Sequence, residues 1–153
     1  MSSKNEKEIR TLVAAAEQAR VARKVRDKMR TCPEKPVDKL DYEFLSAKSA
    51  GLTIATVQPA YKTKRFILGG YRAEYQFAIV YRLTAASPEE RLQADEALDN
   101  MTAWAEAREN WPELGEGVKV LSVKGDEAAK IVDRYDNGLE DHQITITITY
   151  ERI

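Results

Sequence analysis

The chain has 153 residues, 43% hydrophobic and 32% charged, with a formal net charge of −1. That size allows one compact core without disulfides or metals, and the composition excludes both a disordered polar chain and a membrane-embedded one. Cys32 is the only cysteine, no apolar run approaches the roughly 18 residues of a membrane span, and no charged-then-apolar leader opens the sequence. The expectation is a single domain over 1–153, made and used in the cytoplasm, without disulfides and without a membrane partner.

From Lys4 to Arg30 there is neither proline nor glycine, and Ala, Arg, Lys, Glu and Gln dominate, so the spacing predicts one long helix stopped by Thr31-Cys32-Pro33. On such a helix Ile9, Leu12, Val13 and Ala16 share one face, whereas Val21, Ala22, Val25 and Met29 fall nearly opposite. The apolar stripe changes sides, which calls for two partners, one of them a neighbouring subunit, or else a kink or a wrap around its own domain. Residues 1–30 also hold nine Lys or Arg against four Asp or Glu, leaving −6 on the remainder. A basic helix, residues 1–31 and partly an arm, thus precedes an acidic body over 37–153. Such a helix suits nucleic acid, although a solvated face explains such runs more often.

Glu34 to Ser49 reads as a connector with a short ordered turn. Leu52 to Gln58 is rich in β-formers, Phe66-Ile67-Leu68 is a further short apolar run, and Gly69-Gly70 marks a turn. From Tyr71 to Leu83 every second residue is apolar, while Arg72, Glu74, Gln76 and Arg82 occupy the other face, which predicts a long antiparallel strand covered on one side. Ser87-Pro88-Glu89-Glu90 has the form of a capping box. The helix it starts places Ala94, Ala97, Leu98, Met101, Trp104 and Ala105 on one stripe and Asp95, Glu96, Asp99 and Glu106 opposite. Trp111-Pro112 stops it, Val118 to Val123 has strand composition, and Glu127 to Asp136 fits a strand or a short helix. Asn137-Gly138 then precedes a strand in which Ile144, Ile146, Ile148 and Tyr150 alternate with threonines. The fold class expected is α+β: an antiparallel sheet of about four to five strands packed on one central helix, with the long N-terminal helix before it. Tyr75, Phe77, Ile79, Met101, Trp104, Ile146 and Ile148 are the expected core.

Convergent chemistry is scarce. His142, the only histidine, is expected at the surface or a strand edge beside Glu140 and Asp141. One histidine and one cysteine cannot assemble a zinc site of the usual kind. Nothing near Cys32 in sequence lowers its pKa. Asp133, Asp136, Glu140 and Asp141 miss the calcium-loop spacing and read as a solvated acidic loop. Gly115-Glu116-Gly117 follows a helix rather than a strand, the wrong context for a phosphate. The stripe of Tyr75, Phe77 and Tyr81 could stack RNA bases, but it shares its face with Ile79 and Leu83 and reads as core. No catalytic residue, cofactor or metal ligand is assigned.

Several stretches carry a resemblance in their order and spacing: Thr31-Cys32-Pro33, Asp41-Tyr42-Glu43-Phe44-Leu45, Ile67 to Phe77 with its glycine turn into an aromatic strand, Trp104-Ala105-Glu106, Pro112-Glu113-Leu114-Gly115, Gln143 to Ile146 and Thr149-Tyr150. Over roughly Ile9 to Arg152 the chain resembles the minor capsid and tail-terminator-like proteins of siphophages and prophages. The resemblance implies a non-enzymatic virion subunit, assembled in the bacterial cytoplasm, that caps the tail tube and joins it to the head. Its implied partners are the tail tube protein, the head connector proteins and further copies of itself in a ring, a hexamer in the virion with a monomer in isolation left open. Direct nucleic-acid binding is not expected on this reading; a small nucleic-acid-binding module using the basic helix is the alternative. A ring needs two different patches meeting head to tail. The sequence offers Arg20, Arg23 and Lys24 with Val21, Val25 and Met29 on one side, and Asp95, Glu96, Asp99 and Glu106 on the other, unless both charged faces are simply solvated.

Overall fold

The computed structural model describes residues 11–153. In chain order the elements are β1 (Thr11–Leu12), α1 (Ala15–Arg30), β2 (Leu40–Tyr42), β3 (Gly51–Arg65), β4 (Tyr71–Leu83), α2 (Pro88–Glu106), a 3-10 turn (Arg108–Asn110), β5 (Val118–Gly125), β6 (Lys130–Arg134) and β7 (Glu140–Arg152).

The alternation from Tyr71 to Leu83 and from Ile144 to Tyr150 places β4 and β7 together at the middle of one seven-stranded sheet of order β1-β3-β4-β7-β5. They pair antiparallel along their whole length, with Ala73 opposite Tyr150, Tyr75 opposite Ile148, Phe77 opposite Ile146 and Ile79 opposite Ile144. Apolar residues therefore stack on one face as cross-strand pairs. β3 runs along the whole of β4 on the other side, and the remaining strands are short pieces that share the two outer edges. β5 and β6 pair with successive halves of β7, and β1 and β2 pair with opposite ends of β3. The pairing of β2 with β3 is parallel. β3 tolerates Pro59 because its register shifts there, between Gln58 and Tyr61.

Both helices lie on the apolar face. Val25 and Met29 of α1, Ala105 of α2, and Phe77, Val123 and Ile148 of the sheet surround one narrow gap. Ser87 Oγ accepts from the Glu90 backbone N–H, and Pro88 opens the helix, as the capping sequence requires. The opposite face carries Arg72, Glu74, Gln76 and Arg82 from β4 and the threonines of β7.

Two expectations change. The sheet has seven strands rather than four or five, and α1 is no arm: Val21, Val25 and Met29 are in the same buried cluster as Leu98, Met101 and Ile146. The helix also begins at Ala15, because the chain before it is tied to β3. Thr11 and Leu12 pair with Lys62 and Tyr61, Val13 N donates to Ala60 O, and the Gln18 amide brackets the Ala60 backbone as both donor and acceptor. Leu12 and Val13 thus leave the helical count, and the apparent switch of the stripe vanishes. What remains is one face of Glu17, Val21, Val25 and Met29 at four-residue spacing. Ile9 and the predicted helix over Lys4 to Arg10 lie outside the described residues. Of the expected core, Tyr75, Phe77, Ile79, Met101, Ile146 and Ile148 are buried, whereas Trp104 is half-buried. The ambiguous stretch after Glu127 is strand β6.

Candidate functional site

Two polar ties pin the covered face of the sheet. The first is built on His142, whose place at the start of β7 and beside two acids suggested a surface position. The structure corrects this: the residue is 1% exposed. It shares the inward side of β7 with Ile144, α2 passes over it, and its polarity is met by carboxylates. Asp95 Oδ1 lies 2.6 Å from Nδ1 and Glu140 Oε1 lies 3.0 Å from Nε2. Arg91 Nε donates to both oxygens of Glu140, at 3.0 and 3.2 Å. Burial pushes the Glu140 carboxyl up, but the hydrogen bonds from His142 and Arg91 outweigh it and hold the group below the usual carboxylate range. On the other face of the sheet, Arg82 grips Asp141 through Nε at 2.7 Å and Nη2 at 2.9 Å, and the Tyr135 hydroxyl donates to the same carboxylate at 2.7 Å. Burial raises the Asp141 carboxyl, and these donors again prevail and lower it. Glu140 and Asp141 are therefore buried partners of arginines, not part of a solvated loop; Asp133 and Asp136 are exposed.

The second tie centres on Glu17, which is buried at the first turn of α1. Its carboxylate accepts from the hydroxyls of Tyr71 at 2.6 Å and Tyr150 at 2.8 Å, and from Arg152 Nη1 at 3.2 Å. Burial and the adjacent carboxylate push the Tyr71 hydroxyl up to about 12 and the Tyr150 hydroxyl higher still. The two carboxylates on His142 lie on opposite ring nitrogens, leaving no common position for an ion, and the ring is closed to any substrate. Among the described residues no group of three His, Cys, Asp or Glu side chains is placed to hold a metal ion. Cys32 is buried, and burial raises its thiol pKa, away from a reactive thiolate.

The residues selected as a subunit interface are distributed differently from the expectation. Val21, Val25 and Met29 are 1%, 1% and 3% exposed inside their own domain, so they present no apolar surface to a neighbour. Around them Arg20 leans on Glu17 at 3.6 Å, whereas Arg23 and Lys24 are exposed. Opposite, Asp95 holds His142, Asp99 accepts from the Ala129 N–H, and Glu106 accepts from the Gly125 N–H, while Glu96 stays exposed. The acidic side of α2 therefore doubles as a clamp on the edge formed by β5 and β6. The structure does not bring the basic side of α1 and the acidic side of α2 together.

The sequence marks a turn at Gly69-Gly70, but not that Ile67 and Leu68 form the exposed tip of the hairpin joining β3 to β4. Phe66-Ile67-Leu68 does not extend a strand. Gly69 N donates to Phe66 O, and Phe66 N donates to Gly70 O, so Ile67 and Leu68 are the central residues of the turn and Gly69 follows at φ 98°. Their side chains are 102% and 100% exposed. Nothing in turn chemistry asks for aliphatic residues at these positions, which polar residues fill as well.

No family model matches this sequence, and no curated protein matches it. A solved structure of the virion of a native gene transfer agent (GTA) particle contains a chain similar to this one, with a TM-score of 0.58 at 15% identity, covering 90% of this chain and 99% of that one. What the two share is the fold, across nearly the whole of both chains.

Proposed function

We propose that the chain is a non-enzymatic structural subunit of a phage-like virion, acting at the head–tail junction as a tail-terminator or minor capsid protein. The observation that carries this reading is the fold shared, end to end, with a chain of a gene transfer agent virion. The resemblance of the Ile67 to Phe77 and Gln143 to Tyr150 stretches to tail-terminator-like proteins supports it from the sequence side. The finer role, closing the tail tube and presenting a surface to the head connector as a ring of copies, rests on that resemblance. The surface supports it through an aliphatic hairpin tip suited to contact.

The test is genetic and visual. In particles assembled without this chain, negative-stain microscopy should find tails of uncontrolled length or tails detached from filled heads. Normal joined particles would sink the proposal. The nucleic-acid reading loses ground, because Arg20 and Arg26 are paired with Glu17 and Asp27, and Arg30 donates to the Leu40 carbonyl. Retention on DNA that falls steeply with salt would revive it.

A further inference from the structure

One edge of the sheet is formed by two strands end to end, β5 and then β6, each paired with its own part of β7. An open strand edge is a template for a further strand, because every second residue turns its N–H and C=O away from the sheet. Three bonds show which residues those are. Ile153 N donates to Gly117 O, Asp126 N to Thr145 O and Tyr135 N to Leu139 O, so Gly117, Asp126 and Tyr135 face β7. Their neighbours Val118, Gly125 and Arg134 therefore face outward. Ala129 does too, because the next residue, Lys130, pairs with Gln143, which lies two residues from Thr145 and faces the same way.

All four outward N–H groups are taken within the chain. Val118 N donates to Gly115 O at 3.3 Å, and Arg134 N donates to the Asp133 carboxylate at 3.1 Å. Gly125 N donates to Glu106 Oε2 at 3.0 Å and Ala129 N to Asp99 Oδ1 at 2.9 Å. The last two acceptors come from α2. Asp99, Thr102 and Glu106 are three and four residues apart and share one side of the helix, which passes so near the edge that a Cβ at Gly125 would press on the Thr102 methyl. Gly125 and Ala129 flank residues 126–128, the break where β5 gives way to β6. Register shifts between Val120 and Ser122 and between Ile131 and Asp133 distort the rest of the edge.

Both bonds to α2 lie at the surface, where water would satisfy the two N–H groups equally well. Water, however, yields to the carbonyl of an incoming strand, and a carboxylate held from α2 does not. We infer that Asp99 and Glu106 form an inhibitory latch: they occupy two donors that a strand of a second copy would need, and so keep copies from continuing one another's sheets at the β5–β6 edge. The opposite side of the sheet is closed by like means. Ala60 N donates to Gln18 Oε1 at 2.8 Å, Thr56 N donates to Glu43 Oε1 at 3.4 Å, and Pro59 between them has no N–H to offer. Subunits that assemble as proposed above then meet through side-chain surfaces and leave the β5–β6 edge unpaired, but the latch itself does not depend on a virion role.

The experiment compares three full-length proteins: the parent, Asp99→Ala with Glu106→Ala, and Asp99→Asn with Glu106→Gln, whose amide oxygens still accept. In sedimentation velocity the alanine variant should show about twice the parent's weight-average mass at the same concentration and rise further on concentration, while the amide variant keeps the parent's mass. Hydrogen exchange at Gly125 and Ala129 should be faster than in the parent when the alanine variant is dilute, and slow again when it is concentrated, because a second chain's carbonyls replace the carboxylates. Parental mass for the alanine variant at every concentration overturns the latch. An amide variant that associates as readily as the alanine one also overturns it, since charge rather than the occupied donors would then keep copies apart. Association without renewed protection at Gly125 and Ala129 overturns it as well, by placing the new contact elsewhere. If the alanine pair does not fold, as judged by a missing cooperative transition in urea, the single variants Asp99→Ala and Glu106→Ala, each keeping one acceptor, are read by the same two measurements and the same criteria.

Discussion

The hydroxyl of Tyr150 donates to Glu17 Oε2 over 2.8 Å, joining the first turn of α1 to β7 across most of the chain. That bond fixes how α1 lies on the sheet, and its environment leads to the first prediction. Glu17→Ala leaves the hydroxyls of Tyr71 and Tyr150 buried without their acceptor, a loss of about 2–3 kcal/mol in a urea titration. Glu17→Gln, which keeps one acceptor oxygen, should lose less. At high pH two tyrosines, Tyr71 of that cluster and Tyr75 on the Thr56 hydroxyl, have a defined sign. Tyr71 and Tyr75, each raised chiefly by burial to about 12, hold their protons in the folded chain when the unfolded chain has begun to release them near 10. Their contribution is therefore complete below pH 10 and is lost as the pH climbs toward 12. The part of the tyrosinate absorbance that Tyr71→Phe and Tyr75→Phe remove should rise together with unfolding, not before it.

The second prediction concerns acid. Glu140 and Asp141 are lowered from ordinary values of 4.5 and 3.8, so the folded chain stays ionised where the unfolded chain takes up protons. Their stabilisation is present above those values and is lost as the pH falls through the folded ones. Stability measured by denaturant should decline below about pH 4.5, and Glu140→Gln with Asp141→Asn should flatten that decline at a lower starting stability. His142→Ala, which a surface position would make harmless, should cost about 2–3 kcal/mol, because Asp95 and Glu140 lose the buried ring that bridges them. A change under about 0.5 kcal/mol, the size usual for surface sites, would contradict the buried geometry.

Two aromatic truncations should separate. Phe77 is 1% exposed at the centre of the sheet, and its removal should cost about 3–5 kcal/mol. Trp104 is half-buried, with Lys28 Nζ 5.9 Å from its ring centroid, so Trp104→Ala should cost less than half as much by the same titration.

The two turn glycines differ in kind. Both have positive φ, but a Cβ at Gly69 meets nothing, whereas one at Gly70 would press on the backbone carbonyl of Arg152. Gly69→Ala should cost about 1 kcal/mol in backbone strain alone, and Gly70→Ala clearly more, read from the shift of the denaturation midpoint.

The elements legible in the sequence are those whose pattern is set by one dominant neighbour. β4 and the Ile-Thr alternation of β7 face a single core, and the Ser87-Pro88-Glu90 start of α2 is decided within four residues. The start of α1 was not legible, because Leu12 and Val13 suit a helix and are captured by a strand edge far along the chain. Neither was the burial of Glu140, Asp141 and His142. Three polar residues in a row resemble surface until Arg91, Arg82 and Asp95, supplied by other elements, are placed beside them. The hairpin tip was hidden for the opposite reason: an apolar run suggests burial, and only the turn geometry shows it standing in solvent.

The central pairing of β4 with β7 also sets a timetable. During synthesis β3 and β4 can close their hairpin at once, but the inner edge of β4 must wait while α2, β5 and β6 are made before β7 arrives to cover it. Through that interval a 13-residue strand edge bearing Tyr75, Phe77 and Ile79 stands open, long enough to pair with the same edge of another nascent chain. Such a topology folds slowly for its size. The yield of folded chain should then depend on how many half-made copies meet before their last strand is in place, as well as on final stability.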